Sequence, residues 1–261
     1  MSIQFINKLF GLDGQVAVVI GATGVLGGAL AEGIAQAGAT VVVAGRSQAR
    51  GQACVERIRS ASGNAGFIPV DVTSRDSIHQ LLDAALGQYG KVDILVNCAG
   101  ANDATPYEQV TDDAWRRIID ANLTATHLAC QAFAPQMSKQ DEGGAILNIG
   151  SVTAHLPLSR VFAYSASKAA VVNLTKNLAR EYAERKVRVN VLCPGFFPAE
   201  QNRAILDPER VANIMAQTPM RRFGEPHELV GAAILLVSRT AGSFITGAEV
   251  YVDGGFTAMR F

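Results

Sequence analysis

Tyr164 and Lys168 stand four residues apart in the stretch AYSASKAAVVNL, 163–174. On a helix, positions i and i+4 share a face, so a phenol and an ammonium are held side by side. A cation beside a phenol favours the phenolate, and a proton-transferring tyrosine needs that help because the free group titrates near about 10. Ser151 precedes Tyr164 by thirteen residues and follows the apolar run AILNI, 145–149. If that run is a strand and the later stretch a helix, strand end and helix start meet at the carboxyl edge of a sheet, where open α/β folds bind ligands. A hydroxyl, a phenol and an ammonium then converge, a set able to hold a substrate oxygen and exchange a proton with it. The alternative is a surface Tyr–Lys pair with Ser151 capping a strand end.

The elements that must position these groups are legible as short Val- and Ile-rich runs: VAVVI (16–20), TVVVA (40–44), FIPV (67–70), DILV (93–96), AILNI (145–149), VRVNVL (187–192) and EVYV (249–252). Near-continuous apolar runs suit strands buried on both faces of a parallel sheet. Between them lie helix signals: Ser47 before QARGQACVERIRS, Thr73 with Asp76 before SIHQLLDAAL, and Thr111 before a long stretch to Phe133. Alternating strand and helix predicts a doubly wound α/β fold, and no linker or repeat divides it, so residues 1–261 are expected to form one domain.

Directly after VAVVI comes GATGVLGG, 21–28, and then a small-residue helix. A tight glycine turn lets the backbone approach a pyrophosphate and aims the free N–H groups of a helix N-terminus at it. Gly21, Thr23, Gly24, Val25, Leu26 and Gly27 are therefore candidate dinucleotide contacts. No Gly-Lys-Ser/Thr follows, which disfavours a P-loop kinase. The second apolar run ends Ala44-Gly45-Arg46-Ser47, where such folds meet the adenosine ribose. An acidic residue there suits the 2′-hydroxyl of NAD, whereas the Arg46 guanidinium suits the 2′-phosphate of NADP. Arg46 and Ser47 thus favour NADP(H), with NAD(H) the alternative and a solvent-facing arginine beside a helix cap the other reading.

Read together, GATGVLGG, Asp71-Val72, Asn97-Cys98-Ala99-Gly100, Asn122, Ser151, YSASK (164–168), Pro194-Gly195 and VDGG (252–255) resemble the short-chain dehydrogenase/reductase family over essentially the whole chain. The resemblance implies a Rossmann-type domain with a seven-stranded parallel sheet in the order 3-2-1-4-5-6-7, and a nicotinamide-dependent oxidoreductase acting on a carbonyl or secondary alcohol. It implies that Tyr164 exchanges the proton at the substrate oxygen and that Ser151 hydrogen-bonds that oxygen. Lys168 would assist the phenolate and hold the nicotinamide ribose, while Asn122 would secure a water leading from Lys168 to solvent. It also implies cofactor contacts at Asp71 (adenine amino group), Val72, Asn97, Ala99, Gly100, Tyr164, Lys168, Pro194, Gly195 and Phe197. A purely structural turn residue is the other reading of Asn97. Three positions depart from the family pattern: Val25 within the glycine loop, Cys98 for a frequent Asn, and Ala199 where a threonine often helps hold the nicotinamide carboxamide.

An irregular region, 194–224, opens PGFFPAEQNR and closes TPMRRFGEP after the sixth run. Insertions leaving the carboxyl end of a strand are often binding loops. With the VDGGFTAM ending, it resembles most the sugar-acid branch of the family, D-mannonate oxidoreductase or D-fructuronate reductase. Hydroxyl-rich, carboxylate-bearing substrates need polar donors, and Glu200, Gln201, Asn202 and Arg203 in this loop, with His155 and Arg160 before Tyr164, are candidates. Arg203 is the first choice for a carboxylate clamp and Arg160 the reserve. A β-ketoacyl thioester or other carbonyl substrate is the alternative, and a non-catalytic cofactor-binding sensor a third reading that the intact Ser-Tyr-Lys-Asn set argues against.

Composition narrows the partner classes. The chain has 261 residues, 49% of them hydrophobic, and its 23 basic and 23 acidic side chains cancel. No Lys/Arg run marks a nucleic-acid footprint, and no stretch has membrane-spanning character, so a small-molecule partner and a cytoplasmic location are expected. Cys54, Cys98, Cys130 and Cys193 lack metal-ligand spacing and read as reduced, buried thiols. Apolar residues at 111–134 and 161–184, including Leu123, Leu128, Phe133, Val171, Val172 and Leu174, exceed what one sheet face requires, and the family resemblance implies that these helices pair across two-fold axes, so a homotetramer is expected.

Overall fold

The apolar runs become seven parallel strands: β1 (Val16–Ile20), β2 (Thr40–Gly45), β3 (Asn64–Pro69), β4 (Ile94–Asn97), β5 (Gly144–Ile149), β6 (Val187–Pro194) and β7 (Glu249–Val252). In this computed structural model, which describes residues 2–197 and 208–258, they form one sheet in the order β3-β2-β1-β4-β5-β6-β7. Nine helices are described: α1 (Ile3–Phe10), α2 (Val25–Gln36), α3 (Gln48–Ser60), α4 (Arg75–Tyr89), α5 (Asp112–Ile119), α6 (Ala125–Met137), α7 (Phe162–Tyr182), α8 (Pro208–Gln217) and α9 (Val230–Val237). Successive residues of β1 serve opposite layers, as the period of two demands. Ala17 and Val19 join a core with Leu30, Ile34, Val55 and Leu236 from α2, α3 and α9. Val16, Val18 and Ile20 join another with Leu81, Leu128 and Phe133 from α4 and α6.

Three expectations are corrected. β3 begins at Asn64, three residues before the FIPV run, because its ladder with β2 runs from Thr40↔Asn64 to Gly45↔Pro69; at a sheet edge, backbone pairing extends beyond the apolar side chains. Ser74, not Thr73, caps α4, its Oγ accepting the Ser77 N–H at 3.3 Å. Thr73 instead donates its hydroxyl to Asp71 Oδ1 at 2.7 Å. Thirdly, most of the supposed surplus apolar residues are consumed within the chain. Leu128 and Phe133 belong to the second core, Val171 and Val172 are buried, and only Leu123 and Leu174 are half-exposed. Leu128, Phe133, Val171 and Val172 therefore need no second subunit to cover them.

The long stretch from Thr111 is also interrupted. Between α5 and α6 the backbone widens into a π-helical turn, Asp120–Thr124. Such bulges insert a residue into an otherwise regular ladder and re-aim side chains, often at functional sites. Here it carries Asn122.

Candidate active site

Ser151 follows the end of β5, and Tyr164 and Lys168 lie in the first two turns of α7. The fold brings the three together. Lys168 is buried, its Nζ donates to the Ile149 carbonyl at 2.7 Å, and it stands 5.6 Å from the centre of the Tyr164 ring. Burial pushes its ammonium down to about 8. Burial likewise raises the Tyr164 phenol, with hydrogen bonding to Ser151 pulling the other way. In the chain by itself desolvation of the phenolate therefore outweighs the help of the Ser151 hydroxyl.

Asn122 is fully buried and locks the site from behind. Its Oδ1 accepts the Ala101 N–H at 2.7 Å, and its Nδ2 donates to Ala101 O at 3.0 Å and to Ser167 Oγ at 2.9 Å. The loop after β4 is thereby fastened to α7. Its carbonyl accepts from Thr126 Oγ1 at 2.7 Å, so the side chain acts as a clamp.

On the cofactor side the residues fit a dinucleotide. Gly21 has φ +90, and a Cβ there would stand 2.5 Å from the Ala99 nitrogen, so only glycine permits the turn beside Ala99 and Gly100. Gly24 precedes α2 without any side-chain cap, which leaves the first-turn N–H groups of Val25, Leu26 and Gly27 to an anion. Val25 is exposed, so the departure from the family pattern puts a side chain at the helix start without closing the turn. Thr23 packs on Gly45, where a Cβ would come within 2.7 Å of the threonine methyl; the space Gly45 leaves is taken by Thr23. Arg46 is exposed just beyond β2, and Ser47 Oγ caps α3 at 3.4 Å from the Arg50 nitrogen. Hydrogen bonds from the Thr73 backbone and hydroxyl hold the Asp71 carboxyl below its usual range, keeping it a charged acceptor next to half-buried Val72. Asn97 Nδ2 donates to Asn148 Oδ1 at 2.9 Å, inside the sheet, which is the structural role that the sequence left open for its side chain.

Beyond Tyr164 opens a cleft lined by Asn102, Ser151, Thr153, Tyr164, Arg210 and an apolar wall that includes Phe196, Phe197 and Phe223. Gly195, following Pro194 of β6, lines it too. His155 does not: its Nε2 lies 2.7 Å from Glu249 Oε1, and that carboxylate also accepts from Lys176 and Tyr251. Nor does Arg160, which lines a smaller pocket on the far side of Tyr164 with Asp103, Thr105 and Phe162. Arg160 has φ +67, in the left-handed region, on the connection that leads into α7. Ala199, Glu200, Gln201, Asn202 and Arg203 lie outside the described residues. Asn102, Thr153 and Arg210 are the polar cleft residues that sequence reasoning missed, and Phe196 and Phe223 are among the apolar ones. Thr153, two residues past Ser151, was the one with a local signal. Among the described residues no group of three or more His, Cys, Asp or Glu is placed to hold a metal, and no helix is long and apolar enough to cross a membrane.

Residues 21–257 match a family model described as enoyl-(acyl carrier protein) reductase. An uncharacterized oxidoreductase UxuB of Bacillus subtilis is 37% identical, covering 95% of this chain and 96% of its own length. A 3-oxoacyl-[acyl-carrier-protein] reductase FabG of Vibrio cholerae is 36% identical, covering 94% and 98%. Among solved structures, a gluconate 5-dehydrogenase from Burkholderia cenocepacia in complex with NADP and tartrate superposes with a TM-score of 0.93 at 33% identity, covering 98% of this chain and 100% of that one.

Proposed function

The chain belongs to the short-chain dehydrogenase/reductase family, enzymes of alcohol and carbonyl groups, and from that premise we propose that it interconverts a carbonyl and a secondary alcohol on a sugar acid with NADP(H). The observation that carries the reaction is that Ser151 and Tyr164 line one cleft while buried Lys168 stands 5.6 Å from the Tyr164 ring. The cofactor, when bound, supplies or accepts the hydride. The glycine loop from Gly21 to Gly27 would hold its pyrophosphate, Arg46 its 2′-phosphate, and Asp71 and Val72 its adenine. In the reducing direction Ser151 and Tyr164 donate hydrogen bonds to the carbonyl oxygen, and Tyr164 releases its proton to that oxygen as the carbon gains hydride; oxidation is the reverse. The raised phenol keeps Tyr164 in the donor form, and Lys168, on the far face of its ring, stabilises the phenolate once formed. Asn122 fixes the loop and helix that carry these groups.

A sugar acid is favoured by the polar side of the cleft, where Arg210 is the charged side chain among the described lining residues, and by the gluconate dehydrogenase likeness. D-fructuronate with D-mannonate, and gluconate with its keto acid, are the first pairs to test. The apolar wall of Phe196, Phe197 and Phe223 and the likeness to a 3-oxoacyl reductase support a second reading, a 3-ketoacyl thioester. A panel of sugar acids, matching polyols and a ketoacyl thioester, followed by absorbance of reduced cofactor with NADP and NAD in parallel, separates them. Turnover of the thioester alone overturns the sugar-acid reading.

A further inference from the structure

Ser151 can assist a carbonyl oxygen only if its single hydroxyl proton points at it. A free serine hydroxyl rotates among three staggered positions, so something must choose. Ser151 Oγ lies 3.2 Å from the Thr153 backbone nitrogen and 3.1 Å from Thr153 Oγ1. A hydroxyl oxygen has two acceptor positions and one proton. With both acceptor positions filled by Thr153, the Ser151 proton is left to point away from the turn. That direction faces Tyr164, which hydrogen-bonds Ser151, and the cleft that both line. The backbone contact comes with the short 3-10 turn Val152–Ala154, which Ser151 caps, and needs no particular side chain. The hydroxyl contact needs a β-hydroxyl at 153, in a site that is itself buried.

We propose that Thr153 is a positioning residue for the carbonyl–alcohol reaction, its hydroxyl fixing the rotamer of the Ser151 proton so that Ser151 and Tyr164 together present two donors to the substrate oxygen. This rests on the dehydrogenase reading above. Thr153 transfers no proton itself and acts through Ser151, so its effect must vanish when Ser151 is gone.

The test is a double-mutant cycle measured with the wild-type enzyme's best substrate: Thr153→Val, Thr153→Ser, Ser151→Ala and the pair Ser151→Ala/Thr153→Val. Binding of reduced cofactor, read by its fluorescence, checks that each variant is folded. Valine keeps the shape and removes one neutral hydrogen bond, so kcat should fall about tenfold while KM moves less. Serine restores the hydroxyl and should keep kcat within about threefold of wild type. In the Ser151→Ala background the valine substitution should cost less than about twofold. Wild-type kcat in Thr153→Val overturns the proposal, as does Thr153→Ser being as slow as Thr153→Val, or the same tenfold loss with Ser151 absent. If Thr153→Val does not fold, the comparison of Thr153→Ser with Thr153→Ala decides on the same criteria. A wild type that turns over none of the carbonyl and alcohol panel removes the dehydrogenase reading and this inference with it, an outcome distinct from an active enzyme indifferent to Thr153.

Discussion

The two sides of Tyr164 are built differently. Behind it, Lys168 and Asn122 are buried and tied to main-chain groups of Ile149 and Ala101. In front of it, the cleft wall is assembled from side chains at 102, 153, 196, 210 and 223, drawn from four separate connections and from helix α8. The first side fixes a reaction, because geometry there is set by strand ends and a helix turn. The second fixes a substrate, because it depends on which side chains the loops deliver. The difference explains how one reaction class spans a gluconate dehydrogenase and a 3-oxoacyl reductase at similar identity to this chain.

That contrast breaks most sharply at Tyr164. Tyr164→Phe removes only the hydroxyl and should lower kcat by a factor of about 10² to 10⁴, for acid and polyol alike, while fluorescence titration shows cofactor binding retained; near-normal turnover would rule out the proposed acid. Arg46 lies on neither side, and Arg46→Ala should weaken NADP at least about tenfold relative to NAD, since a charge-assisted contact contributes about 1.5 to 3 kcal/mol. Equal weakening of both cofactors in a competition titration would remove Arg46 from the 2′-phosphate. On the substrate side, Arg210→Ala should raise KM several-fold for a sugar acid and leave the matching polyol almost untouched; equal losses would show that the arginine only supports the wall. The same assay on Arg203→Ala decides whether the residue first chosen for the clamp shares that role.

A further effect is on stability. Lys168 is pushed down to about 8 from 10.5, so the folded chain gives up this proton more readily than the unfolded one. The unfolded state binds more protons between those two values, and stability therefore rises with pH across about 8 to 10.5 and carries the full penalty of the buried charge below 8. Urea midpoints of wild type and Lys168→Met at pH 7 and 10 should converge as pH rises. A gap that is the same at both pH values would show that the ammonium is not desolvated in solution.

The sequence by itself determined the seven strands, the glycine loop at Gly21, the caps at Ser47 and Thr111, and the meeting of Ser151 with Tyr164 and Lys168. All of these follow from local spacing: apolar runs select strands, i and i+4 share a helical face, and a strand end next to a helix start leaves little freedom. It missed the cap at Ser74 by one residue and β3 by three, since pairing with β2 outvotes hydrophobicity at an edge. Only the tertiary structure decided that His155 is taken by Glu249 from β7, ninety-four residues on, that Arg160 turns to the other side of Tyr164, and that Asn97 points into the sheet. It alone brought Asn102 and Arg210 to the cleft, and it alone showed Leu128, Phe133, Val171 and Val172 already buried. Whether a polar side chain reaches a site or a neighbour, and whether an apolar one is surplus or core, depends on partners distant in the chain. Local spacing carries no information about them.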